Sequence, residues 1–197
     1  APYVAAAVRE ACGMLGITAF RLGNSGLVIM TAFDPEKQKI LAEETLDRSN
    51  YSDGGVNGSA VLLDNATGEI AAYFGTLGYE ISRQAGSVLK PLAVYAPALD
   101  TGAVTLATPV RDEKTDFGGY SPDNFDGVYY GDTTPREAIK RSMNTAAVKV
   151  LSYVGTDTAL GYLRKLGVKV SEKDSNLALA LGATAEGTNP RILAGAY

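Results

Sequence analysis

Gln84-Ala85-Gly86-Ser87-Val88-Leu89-Lys90-Pro91 is the stretch from which the rest of the chain can be read. It sets a hydroxyl and an amine at positions i and i+3, just after a glycine and at the head of an apolar run. Residues at that spacing share one face of a helix, about one turn apart. Ser87 can therefore act as a nucleophile and Lys90 can take its proton, if burial keeps the amine neutral part of the time. The plainer alternative is that Ser87 caps a helix and Lys90 is a solvated side chain. A Ser-x-x-Lys match on its own does not separate the two readings, because four-residue patterns recur by chance.

Composition narrows the chemistry. The chain has 197 residues, 46% hydrophobic and 20% charged, so a packed core is expected. The net charge is -4 and no basic block is present, which argues against nucleic acid as a partner. No apolar run reaches the length that crosses a bilayer. Histidine is absent, which excludes Ser-His-Asp and Cys-His catalysis and argues against a zinc site; no metal ligand set and no cofactor are expected. A serine nucleophile here must be activated by Lys, Glu, Asp or Tyr. Cys12 is the single cysteine, so no disulfide can form within the chain, and its setting among Val4, Val8 and Leu15 reads as packing. There is no initiator Met and no charged-then-apolar leader, and the pattern stops at Ala196-Tyr197 without a cap. A longer natural chain is the expectation.

Outward from the Ser87 stretch, the periodicity predicts an amphipathic helix over 2–15, a strand over 26–33 and a helix capped by Asp34 with Pro35 at its first position. Ile40, Leu41 and Leu46 are the candidate buried positions of that helix. Residues 49–58 read as a linker. Strands over 59–64 and 69–74, joined by Asn65-Ala66-Thr67-Gly68, predict an antiparallel hairpin. The run from Ser87 to Leu99 is apolar nearly all round, so it is expected to be buried, with Pro97 kinking or shortening it. Residues 103–133 are rich in Gly, Asp, Thr and Tyr with little periodicity, a length of loop that is often functional. Thr134-Pro135-Arg136-Glu137 is a capping-box helix start. That helix reaches Ser142-Met143-Asn144, and further helices follow to Gly155 and over 157–166. Strands followed by a helical block, without alternating βαβ units, indicate the α+β class.

With Ser87-x-x-Lys90 heading a buried helix and Ser142-x-Asn144 as a second motif, the sequence resembles the transpeptidase domain of penicillin-binding proteins, and more closely the class A, bifunctional ones. The resemblance covers nearly the whole chain. It is carried by RQAGSVLKPL over 83–92, YYGDTTPREAIKRSMNTAAVKV over 129–150, AVLLDNATGEIAAYFG over 60–75 and LGATAEGTNPRILAGAY over 181–197. It implies a penicillin-binding-protein and serine β-lactamase-like α+β fold, incomplete here, with a central antiparallel sheet and a mostly helical subdomain. It implies that 1–50 is a segment joining a glycosyltransferase domain to the transpeptidase domain, and that 51–197 is the first part of the latter. The family's third motif, Lys-Thr/Ser-Gly, is not in the sequence.

The resemblance also assigns roles. Ser87 is implied to be the acylated nucleophile, Lys90 its general base, Ser142 a proton relay and Asn144 a substrate-binding amide. The bland reading of the second motif is that Ser142 ends one helix and Asn144 caps the next, which is compatible with those roles. Met143 reads as packing and Glu186 as structural. Asn124, Tyr120, Tyr129 and Tyr130 are candidate substrate contacts on the long loop, with ordinary loop packing as the alternative. The implied activity is D,D-transpeptidation of peptidoglycan stem peptides ending in D-Ala-D-Ala, with β-lactams as acylating inhibitors. The implied location is the outer face of a bacterial cell membrane, in a membrane-anchored parent protein. A serine β-lactamase, a D,D-carboxypeptidase and a non-catalytic β-lactam-recognition module share the first two motifs and stay open at this stage.

Overall fold

The computed structural model describes residues 2–52, 55–76 and 81–197. The chain divides into two units, Ala1–Ile81 and Ser82–Tyr197.

The first unit begins with α1 (Pro2–Leu15), which ends where Gly16 turns left-handed at φ +64°. A short α2 (Ala19–Gly23) follows. Next comes α3 (Pro35–Leu46), whose first turn is capped by Asp34: its Oδ1 accepts from the backbone N–H of Glu36 and Lys37, both at 3.0 Å. Strands β1 (Ser59–Leu63) and β2 (Ile70–Gly75) pair antiparallel, Ser59 opposite Gly75 and Val61 opposite Tyr73. The turn between them is the expected one, with Gly68 at φ +74° and the Asp64 carboxylate accepting from Ala66 N at 2.8 Å.

Two expectations for this unit need correction. No strand ladder forms over residues 26–33, and Val28 and Met30 are exposed. The outer edge of β2 is already occupied. Ala71 O accepts from Asp34 N at 2.9 Å, and the Gln38 side-chain amide both donates to Tyr73 O at 3.2 Å and accepts from Tyr73 N at 3.0 Å. A helix start and one amide thus do what a third strand would have done. The same Gln38 contact sets which face of α3 is covered: Leu41 and Thr45 follow it at helical spacing and are partly or fully buried, whereas Ile40 and Leu46 fall off that face and are exposed.

The second unit is built on a helical rod that carries Ser87 and Lys90. It opens as a tight 3₁₀ turn (Gly86–Leu89), widens to a π turn (Pro91–Tyr95) and closes as α4 (Ala96–Asp100). Pro91 and Pro97 bracket the wide turn. Each lacks an N–H, and each ring excludes the carbonyl one turn back, so the rod accommodates them by unwinding between them. Pro97 therefore changes the winding of the rod without ending it. The rod is buried as its composition requires: Leu89, Ala93 and Val94 have no exposed surface. Around it pack α6 (Asn144–Val154) and α7 (Thr156–Lys165), whose Val148, Val150, Leu151 and Leu163 complete the core. Short α5 (Pro135–Arg141) precedes α6, capped by Thr134, and α8 (Pro190–Ala196) closes the chain, capped by Asn189.

Residues 103–133 are more ordered than their composition suggests. Strand β3 (Val110–Asp112) pairs antiparallel with β4 (Gly131–Thr133), Val110 opposite Thr133 and Asp112 opposite Gly131. These strands are too short to show a periodicity in the sequence. Their pairing closes the intervening loop into a hairpin-like excursion.

Candidate active site

Ser87 sits exposed in the 3₁₀ turn that begins the rod. The turn is clamped from the far end of the sequence. Arg83 and Thr188 exchange two backbone hydrogen bonds, both 2.8 Å. Gly182, at φ +79°, lies so close that a Cβ there would overlap the Gly86 backbone, and a Cβ at Gly187 would overlap that of Arg83. Glycine is required at 182 for its left-handed φ and for this approach. Tyr197 adds a hydrogen bond from its hydroxyl to Val88 O at 2.6 Å. Glu186 is exposed on the segment that makes the clamp.

Lys90 lies one turn into the rod and is almost wholly buried, 2% exposed. Its Nζ donates to Ser142 O at 2.6 Å and Asn144 Oδ1 at 2.6 Å, and lies 3.1 Å from Ser142 Oγ. Burial lowers its pKa from 10.5 to about 8. Burial thus makes the free amine more populated near neutral pH than for an exposed lysine. Ser142 presents both its carbonyl and its hydroxyl to Lys90 because it adopts a left-handed conformation, φ 54°, at the end of α5. It is the one non-glycine residue with positive φ among those described, and such strain is concentrated at functional sites.

Hydrogen-bonding capacity gives Ser142 a particular place. A carbonyl and an amide oxygen can only accept, so Ser142 O and Asn144 Oδ1 each require an N–H from Lys90. The ammonium has a third N–H to give to Ser142 Oγ, and the neutral amine has a lone pair there instead. A hydroxyl can accept in the first state and donate in the second. Ser142 Oγ is thus the partner that serves both protonation states of Lys90.

Helix α6 starts at Asn144, so Met143 occupies the cap position, and its side chain is buried. The expectation that Asn144 caps this helix is corrected on that point. The cap comes from Asn124, whose Oδ1 accepts from the backbone N–H of Asn144 at 2.6 Å and of Thr145 at 3.4 Å. Freed from capping, the Asn144 side chain turns to Lys90 through Oδ1, while its Nδ2 donates to Asp123 O at 2.8 Å. One N–H of that amide is left to donate to a ligand.

Ser87, Asn124, Tyr130, Ser142 and Asn144 line one cleft of about 300 Å³, together with Arg141 and the fully exposed Phe125. Ser142 and Asn144 thus link the cleft to the buried Lys90. Tyr130 joins the rim with the Arg141 guanidinium 4.8 Å from its ring centre, and its hydroxyl donates to Asp126. The Tyr129 hydroxyl donates to Asp123. Tyr120 packs instead against the core. Of the candidate loop contacts, Asn124 and Tyr130 reach the cleft lining and Tyr120 and Tyr129 do not.

Asp112 was not legible as part of this arrangement. It has no exposed surface, and its carboxylate accepts from Asn124 Nδ2 at 2.8 Å, Tyr130 N at 2.8 Å and the Thr145 hydroxyl. Nothing local in Val110-Arg111-Asp112 distinguishes this acid from the other acids of the loop. Among the described residues, no group of three or more His, Cys, Asp or Glu could hold a metal ion, and no helix is long and apolar enough to cross a membrane.

Comparison with known proteins bears on this geometry. The family model described as penicillin binding protein transpeptidase domain matches residues 58–185. Penicillin-binding protein 1F of Bacillus subtilis (strain 168) is 34% identical over 99% of this chain and 28% of its own length. A penicillin-binding protein 1A of Clostridium botulinum is 33% identical over 89% of this chain and 25% of its own. The chain thus spans about a quarter of the length of these relatives. The structure of the PonA1 protein from Mycobacterium tuberculosis in complex with penicillin V has the same fold, with a TM-score of 0.82 at 23% identity over 97% of this chain and 55% of that one. By the match over 58–185 and the identity to both relatives, the chain belongs to the penicillin-binding protein transpeptidase domain family.

Proposed function

We propose that this chain carries the nucleophile side of a serine D-Ala-D-Ala transpeptidase. The observation that supports this most directly is the buried Lys90 amine, its pKa lowered to about 8, bonded to Ser142 and Asn144 of the cleft that Ser87 lines. In the proposed reaction the lone pair of the neutral Lys90 amine turns from Ser142 Oγ to the Ser87 hydroxyl and takes its proton while Ser87 Oγ bonds to the carbonyl carbon of the penultimate D-Ala. The C–N bond to the terminal D-Ala then breaks. The proton passes from Lys90 through Ser142 Oγ to the leaving nitrogen, and the carbonyl is held as an acyl ester on Ser87. An amine from a neighbouring stem peptide attacks the ester, forms the cross-link and regenerates the Ser87 hydroxyl. A β-lactam would enter the first step by opening its ring on Ser87, with its ring nitrogen receiving the proton. Asn144 would orient the substrate through its remaining amide N–H, and the Ser87 backbone N–H would supply one oxyanion donor.

The second oxyanion donor and the carboxylate-binding wall belong, by family resemblance, to the Lys-Thr/Ser-Gly strand that this sequence lacks. The full reaction is accordingly assigned to a longer protein that supplies that wall, membrane-anchored, working on peptidoglycan at the outer face of the cell membrane, with residues 1–50 leading from a glycosyltransferase domain. The test is covalent labelling of the full-length protein with a fluorescent penicillin. A stable adduct that Ser87→Ala abolishes is the expected result. An adduct that survives Ser87→Ala would overturn the assignment, and rapid release of hydrolysed drug would move the protein to the β-lactamases.

A further inference from the structure

Asn124 uses its whole hydrogen-bonding capacity inside the protein. Its Nδ2 donates to Asp112 Oδ2 at 2.8 Å and to Val128 O at 2.8 Å, and its Oδ1 accepts from Asn144 N and Thr145 N. Two donors and two acceptor sites are all a primary amide has, so this side chain can bind a ligand only by giving up a bond it already makes. It is also 6% exposed, although it borders the cleft. Which way round the amide sits follows from all its partners: Asp112 and Val128 O accept on the Nδ2 side, and the backbone N–H groups of Asn144 and Thr145 donate on the Oδ1 side. Asp112 Oδ2 accepts from Nδ2 and so holds the amide with Oδ1 toward α6. A second anchor ties Asp112 to the same helix, through the Thr145 hydroxyl. Asp112 has no surface from which to reach a ligand.

We infer that Asp112 and Asn124 are a positioning pair: the carboxylate fixes the Asn124 amide, the amide caps α6 where Met143 cannot, and the helix start so placed aims Asn144 at Lys90. The inference rests on the reading of Ser87 as the nucleophile and Lys90 as its base. It replaces the sequence-based reading of Asn124 as a substrate contact. Cap and catalytic amide are separated in this design: the Asn144 backbone N–H goes to Asn124, and its side chain is released to Lys90 and the cleft. Losing the cap frees two N–H groups of the first turn and lets Asn144 leave the Lys90 ammonium.

The test is the acylation kinetics of the full-length protein with a fluorescent penicillin, resolved into the binding constant K and the acylation rate constant k2. Asn124→Ala is expected to lower k2 at least tenfold and change K by less than about threefold, since alignment and not ligand contact is lost. Asp112→Ala is expected to show the same split. Asp112→Asn is the conservative rescue: its amide oxygen can face Asn124 while the Thr145 hydroxyl turns to accept, so k2 is expected to return to within about fivefold of the parent. A raised K with unchanged k2 in Asn124→Ala would overturn the inference in favour of a substrate contact. Equal losses in Asp112→Asn and Asp112→Ala would overturn the orienting role of the carboxylate. Amide hydrogen exchange at Asn144 and Thr145, faster in Asn124→Ala, reads the cap without any substrate, and unchanged exchange would also overturn it. Absence of labelling in the parent protein would instead fell the nucleophile assignment and leave the exchange result to judge the cap.

Discussion

Ser142 concentrates the demands that the site makes on one residue. Its left-handed backbone turns the carbonyl toward Lys90, and its hydroxyl is the partner that can reverse its role when Lys90 changes protonation state. These two requirements conflict, because a left-handed conformation favours glycine and the proposed relay needs a hydroxyl. Ser142→Gly is therefore expected to hold or raise thermal stability, by up to about 1 kcal/mol, while cutting acylation by two orders of magnitude or more. A fall in both would show that the strain has been misjudged. Lys90 makes a second test at this scale. On the proposed mechanism acylation should rise with pH with an apparent pKa near 8, because Lys90 acts as base only when neutral, and the rise should vanish in Lys90→Ala. Stability has its own sign. The lysine pKa falls from 10.5 to about 8 on folding, so between those values the unfolded state binds more protons and stability gains with rising pH. Below about pH 8 both states hold the proton and the cost of burying it is fully present. The stability of the parent relative to Lys90→Met is accordingly expected to be lowest below pH 8 and to rise toward pH 10.5, as read from denaturant midpoints across that range.

At the scale of elements, the Ser87 turn depends on a partner nearly a hundred positions along the chain. Gly182 packs its backbone on Gly86, and Thr188 pairs with Arg83. Gly182→Ala would force a Cβ into the Gly86 backbone at φ +79°, so a loss on the order of 2–4 kcal/mol is expected, together with a displaced Ser87. Thermal denaturation and labelling should fall together, and a variant with unchanged melting and labelling would refute the clamp. The rod itself illustrates how proline acts in a buried helix. Pro91 and Pro97 produce a π turn between them, because the dense packing of Leu92, Ala93, Val94 and Tyr95 holds the rod together through the lost hydrogen bonds. The expected strand over 26–33 fails for the opposite reason: its pattern suited a strand, and the edge it needed was already held by Asp34 and Gln38.

For the whole molecule, the proposed reaction needs a third wall, the Lys-Thr/Ser-Gly strand, beside the Ser87–Lys90 and Ser142–Asn144 walls described. The polypeptide 1–197 is expected to react with a fluorescent penicillin at least a hundredfold more slowly than the full-length protein, the scale of losing an oxyanion donor. Equal rates would show that Ser87, Lys90, Ser142 and Asn144 suffice. Much of this arrangement was readable before any fold was known. The one-turn spacing of Ser87 and Lys90, the Asp34 and Thr134 caps, the 59–74 hairpin and the buried rod all follow from interactions between near neighbours, which spacing and residue type express directly. The absence of histidine narrowed the candidate bases to Lys, Glu, Asp or Tyr for the same kind of reason, since it is a property of composition. What spacing and residue type could not express was how other distant segments meet. Asp112 looks like any loop acid until Asn124, Tyr130 and Thr145 converge on it, and Gly182 looks like any turn glycine until Gly86 meets it. Such contacts depend on which buried polar groups lack a nearer partner once the chain has packed, and burial is a property of the folded chain that no local pattern encodes.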